Sequence, residues 1–243
     1  MHNLRTILPQ RLTRGSSTSG GAMRAYARVV SIGALVLITG CTKETLFQSN
    51  FDPTPVGQPP STMQAVGTAT IDGPPGSVIV VAPPVTPSGK WVQINRPNGP
   101  NVAGFQGKFS QFRGDSVYTF STIMFLTPAS GVATIQFETF TNPQAFLHLD
   151  LMPDNQVRID DDENTKFGSF PRNQPFIVQA TLNINPSAST VNIVLSGAGA
   201  SGQRNYTVLS PLQMLSRQFG AVRIWQGFPN TGAFDATTIV VTR

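Results

Sequence analysis

The sequence predicts an all-β fold, a single β-sandwich, and three observations predict it. From Cys41 to Arg243 the chain carries 17 glycines and 19 prolines, spread along its length rather than gathered in one linker. Both residues interrupt helices and supply turns, so this density suits short strands joined by loops. Between them lie β-branched and aromatic runs, several alternating with period two. The length is also right, since about 200 residues make one sandwich and are short for two domains.

Taken in order, the predicted strands are 77–82, 91–95, 116–126, 132–140, 145–151, 176–184, 190–195, 221–225 and 237–242. The run 145–151 shows the logic. Leu147, Leu149 and Leu151 fall on one face, and Phe146, His148 and Asp150 on the other. Before the first of these strands, 42–63 is rich in proline, yet Leu46–Phe51 alternates as a short strand does. One helix is expected at 211–219, with Ser210 as its cap, Pro211 at the first position and Gly220 as its left-handed stop. Leu212, Leu215 and Phe219 would then share one side of it. Gly197–Gly202 is glycine-rich but opens no helix, so it reads as a hairpin loop rather than a phosphate cradle.

The segment ahead of the sandwich has a different chemistry. Residues 29–41 form an uncharged apolar run behind a basic stretch. The run is too short for a bilayer span of roughly 20 residues and has the build of a secretory signal. Its end, Ile38-Thr39-Gly40-Cys41, resembles the lipobox of bacterial lipoproteins. The resemblance implies that residues 1–40 are removed, that Cys41 is acylated, and that the acyl chains hold the protein to a membrane. Thr42 in place of an aspartate implies the outer membrane in the best-known sorting system. Met23 opens a leader of more ordinary length, so translation is expected to start there. Residues 41–45 then form a short tether, and 46–243 the domain.

Removing the leader changes the charge. Five of the 17 basic residues and none of the 12 acidic ones precede Cys41, which leaves twelve of each. A neutral chain with dispersed cations offers no basic stripe for nucleic acid, which is not an expected partner. Cys41 is the only cysteine, and His148 the only histidine after the leader. Disulfides, cysteine nucleophiles and His-rich metal sites are therefore excluded, and no cofactor is expected beyond calcium.

Leu46-Phe47 through Phe51-Asp52, then Val56-Gly57 and Pro59-Pro60, resemble the opening strand and turn of concanavalin A-like (laminin G-like) jelly rolls. Gly232-Ala233-Phe234-Asp235 with 237–241 is similar to their closing strand, which pairs beside the opening one. Residues 156–159, the acidic turn and 175–182 resemble the central hairpin and the strand after it. That family includes lectins, carbohydrate-binding modules, glycan hydrolases and lyases, so the fold leaves the activity open. The hydrolase motif Glu-x-Asp-x-x-Glu is absent, and Glu138 stands as the lone carboxylate of its strand. The leading expectation is a non-catalytic binding module, with glycan as its ligand. The alternatives are a glycan-degrading enzyme and a structural envelope protein without a small ligand. His148, Asp150, Tyr118 and Trp91 are the candidate ligand-binding residues, since sugar sites combine stacking rings with polar groups. Asp160, Asp161 and Asp162 form the densest acidic cluster and are the candidates for calcium, which takes several oxygen ligands. A solvated hairpin tip is the alternative for that turn.

Overall fold

The computed structural model describes residues 43–85, 89–96, 102–129, 131–226 and 233–243, with side chains up to 226 and from 239. The leader and Cys41 lie outside the described residues. Fifteen strands follow one another: β1 (Thr45–Gln48), β2 (Thr68–Asp72), β3 (Val78–Val81), β4 (Trp91–Asn95) and β5 (Ala103–Lys108). Then come β6 (Val117–Leu126), β7 (Ala133–Thr139), β8 (Ala145–Leu151), β9 (Val157–Ile159) and β10 (Asp162–Phe167). The last are β11 (Pro175–Asn183), β12 (Thr190–Gly197), β13 (Gly202–Thr207), β14 (Phe219–Gln226) and β15 (Ala233–Thr242). All nine runs picked from the sequence are strands. The reading missed β2, β5 and β13, which are short, polar or glycine-bearing.

The strands form two antiparallel sheets. One runs β13-β12-β11-β6-β15-β4-β3, with β1 also on β15, and the other β10-β9-β8-β7-β14-β5-β2. The sequence order is broken in both, so neither sheet is a simple meander. β15 lies between β6 and β4, and pairs with β1 over Thr45–Gln48, as the jelly-roll resemblance led one to expect. Inward-facing side chains of both sheets make one core. Phe120 from the eight-stranded sheet meets Phe137 from the seven-stranded one edge to face, with centroids 5.4 Å apart. Phe219 anchors one end of this core, its ring within 6 Å of those of Phe109, Tyr118, Phe137 and Phe146.

The one short helix expected near 211–219 is present, but it is shorter than that span. Only a 3-10 turn at Ser210–Leu212 and one α-helical turn at Gln213–Ser216 form, and the Ser210 side chain caps neither. Phe219 and Gly220 belong instead to β14. A Cβ on Gly220 would lie 2.3 Å from the Cβ of Phe140, so the glycine is needed for strand packing rather than as a stop. The pull of the Phe219 ring into the core outweighs its helical spacing.

Candidate functional site

Strand register lines up a set of polar side chains on the outer face of the seven-stranded sheet. One row crosses six strands as Asp72, Gly104, Trp225, Thr134, Asp150 and Arg158. The next row crosses five as Thr70, Gln106, Arg223, Gln136 and His148. Glu138 lies one step further, opposite Ala221. The intervening residues Phe105, Ile135, Leu149 and Ile224 are buried in the core, so alternation turns both rows away from it.

Glu138 is the centre of a hydrogen-bonded network. Its Oε1 accepts from Gln136 Nε2 at 2.9 Å, and Gln106 Nε2 donates to its Oε2 from two strands away. That reach passes over Ala221, whose single methyl group leaves the path open. Gln106 accepts in turn from Thr70 Oγ1 at 3.0 Å. Trp225 Nε1 donates to Gln136 Oε1 at 2.8 Å, which fixes the half-buried indole over the sheet. Gly104 is required beneath it, because a Cβ there would stand 2.8 Å from the Trp225 Cβ. Arg223 pairs with Asp72 and lies 3.9 Å from Glu138 Oε1. Burial pushes the Glu138 carboxyl above its ordinary range, against the Gln106 hydrogen bond and the Arg223 charge.

A second polar group lies further along β7 and on the adjoining β8. Asp150 Oδ1 accepts from Thr134 Oγ1 at 2.6 Å, while its buried Oδ2 accepts no hydrogen bond and faces Arg158 at 3.8 Å. Arg158 also holds Asp161 at 2.7 Å and Glu163 at 2.8 Å. Burial, with the charge of Asp161 added, raises the Asp150 carboxyl despite the Thr134 hydrogen bond. His148 sits half-buried between the two groups, one register step from Asp150 on the same face.

The structure brings together only part of the set expected from sequence. His148 and Asp150 share the face, although Asp150 is 4% exposed rather than open to solvent. Phe146 leaves it. A bulge at Phe137/Glu138 makes Phe146 the extra residue of β8, and its ring turns into the core against Phe219. Tyr118 is corrected outright. It is 0% exposed in β6, packed on Phe219, with its hydroxyl donated to the Gly114 carbonyl and its pKa pushed up to about 12 by burial. Trp91 is buried in β4 of the other sheet, so it cannot stack a ligand beside His148. Trp225 holds the position the reading gave to Trp91. The period-two run Ala221, Arg223, Trp225 carried that signal in the sequence.

The three aspartates diverge. Asp160 accepts from the His148 amide at 2.8 Å and the Tyr206 hydroxyl at 3.0 Å. Asp161 turns to Arg158, and Asp162 accepts from the amide and side chain of Asn164. No cluster of three or more acidic, histidine or cysteine side chains fit to hold a metal occurs among the described residues. Gln106, Gln136 and Arg223 were not foreseen, because their meaning comes from neighbours in other strands.

No protein-family model matches the chain, and no curated protein matches it in sequence. Solved structures do match in fold. An endo-1,3-beta-glucanase from Streptomyces sioyaensis superposes with a TM-score of 0.51 at 10% identity, over 82% of this chain and 96% of that one. Arcelin-5, a lectin-like defense protein from Phaseolus vulgaris, gives 0.50 at 8% identity, over 83% and 98%. A sialidase gives 0.51 at 14% identity over 71% of this chain, which spans only 16% of that much longer protein. The fold is therefore a jelly-roll β-sandwich of the concanavalin A-like, legume-lectin type.

Proposed function

We propose that this is a lipid-anchored envelope protein, held by acyl chains on Cys41, whose seven-stranded sheet binds glycan on its outer face without cleaving it.

 The anchor in this reading is the set of acyl chains on Cys41, at the cell envelope and on its outer membrane. The observation that carries the binding reading is Trp225. Its half-buried indole lies among Gln106, Gln136, Glu138, Arg223 and His148, an apolar ring edged by donors and acceptors. That combination suits a polyhydroxyl ligand, which presents both apolar faces and hydroxyl groups. The lectin-like and glucanase neighbours support the same class of ligand through the fold alone. The lipobox-like Ile38–Cys41 supports the anchor.

Cleavage by the pair Glu138 and Asp150 is disfavoured by their spacing. Glu138 and the Asp150 partner Thr134 stand four residues apart on β7. Their strand positions are thus roughly 13 Å apart at about 3.3 Å per residue. Glycosidase pairs stand roughly 5–9.5 Å apart. Both carboxyls are moreover engaged by neutral side chains of the sheet.

A glycan array read together with release of reducing ends and unsaturated uronates tests this. Binding without turnover is expected, lost in Trp225→Ala and kept in Trp91→Phe. Turnover would replace the reading with an enzyme, and neither signal would leave a structural protein. For the anchor, Cys41→Ser is expected to move the protein from the detergent phase to the aqueous phase. A mutant that stays with detergent would refute lipidation at Cys41.

A further inference from the structure

We propose that the end of the sandwich carrying the 110–116 loop and the 213–216 helical turn lies against the lipid surface, so that the domain is docked rather than freely tethered. This rests on the acylation of Cys41 proposed above. Only Thr42 and Lys43 separate that cysteine from Glu44, so Glu44 is at most about 11 Å from the acylated residue at roughly 3.6 Å per residue. Glu44 is fastened to the domain. Its backbone exchanges hydrogen bonds of 3.0 and 2.8 Å with Arg243, and its carboxylate takes Gln111 and Arg113 from the loop. The loop is therefore held beside the point where the chain leaves for the membrane.

The same end carries the apolar groups an interface needs. Phe112 is 46% exposed and Met214 72% exposed. They line an open depression of about 380 Å³ with Gly114, Asp115, Arg217 and Gln218. The charge agrees. Lys43, Arg113, Arg217 and Arg243 outnumber Glu44 and Asp115 there, an excess of two positive side chains. Basic groups beside exposed apolar side chains fit an anionic bilayer surface, which such side chains enter by about 5–10 Å.

The test uses the full chain, acylated and thiol-labelled in vesicles. Acylation blocks Cys41, so a fluorophore reacts only at an added cysteine. Ser110→Cys is exposed in the loop and leaves Phe112 and Met214 in place. Ala198→Cys is exposed beyond β12, whose register puts it at the opposite end from Val117. Vesicles contain about three parts phosphatidylethanolamine to one part phosphatidylglycerol with brominated chains, at less than one protein per vesicle. Loss of fluorescence at 110 but not at 198 is expected, and Phe112→Ser with Met214→Ser is expected to abolish the difference. Equal or absent quenching in acylated protein overturns docking and leaves the anchor standing. A signal at 110 that arises only at high protein density assigns the face to a second copy and also overturns it. Protein that partitions with water before reconstitution refutes the acylation itself.

Discussion

Glu138 is satisfied by amides rather than by a cation of its own, since Arg223 is shared with Asp72 and stays 3.9 Å away. Burial therefore wins, and its carboxyl titrates above the ordinary value near about 4.3. The folded state then holds its proton at a pH where the unfolded chain has released it. Stability should fall as pH rises from the unfolded value through the raised folded one, and recover as pH is lowered across that window. Glu138→Gln is expected to flatten this slope in urea unfolding measured at a series of pH values. An unchanged slope would mean that folding leaves the Glu138 titration unshifted, and a steeper fall in the variant would mean that the carboxylate is stabilised as an anion. His148 and Asp150 were legible at this scale because strand alternation needs only local sequence. Gln106 was not, because its partner Glu138 is 32 residues away. Tyr118 and Trp91 failed for another reason: a ring with a polar tip reads alike whether its tip meets a backbone carbonyl in the core or solvent outside.

At the scale of elements, the β9–β10 hairpin explains the acidic cluster. Ile159 pairs with Asp162, so Asp160 and Asp161 form a two-residue turn, with φ of +51° and +60°. Two positive φ values are the signature of a type I′ turn, where Asn-Gly is favoured. Asp160 is retained at a position that binds the His148 amide and Tyr206, whereas Asp161 makes only an exposed pair with Arg158. Glycine tolerates both positions, so substitution separates side-chain bonds from backbone strain. Asp160→Gly is expected to cost about 1–3 kcal/mol in chemical denaturation, because it strands two donors. Asp161→Gly should stay within about 0.5 kcal/mol. Calcium or a chelator should leave both melting curves unmoved, since the carboxylates diverge; a calcium-dependent rise would show that the turn rearranges around an ion. Strands rich in β-branched and aromatic residues were legible in sequence. β5, with Gly104 and Gly107, and β13, Gly-Gln-Arg-Asn-Tyr-Thr, were not, because pairing with neighbours rather than their own composition makes them strands.

For the whole molecule, the decisive contact joins its most distant parts. Thr45 pairs with Thr242, and β15 is also inserted between β4 and β6. The closure entropy of that long loop must be met before β15 returns any pairing energy, so folding should be slow for the domain's size. The resemblance of opening and closing strands anticipated this contact, whereas the crossing order of the other strands depends on distant pairings that local periodicity does not encode. Because Glu44 and Arg243 exchange backbone hydrogen bonds, a short glycine-serine linker can join them without disturbing the sheet. New ends belong between Ala198 and Gly199, in the exposed turn that connects β12 to β13. Such a permutant keeps every strand but makes the β1–β15 pairing local. Its melting temperature should stay within about 4 °C of the parent. Stopped-flow refolding should be faster, since the gain falls on loop closure before the transition state. An equally slow permutant would place the rate-limiting step in the β6–β11–β12 pairing, and a destabilised one would show that β12–β13 needs its turn intact.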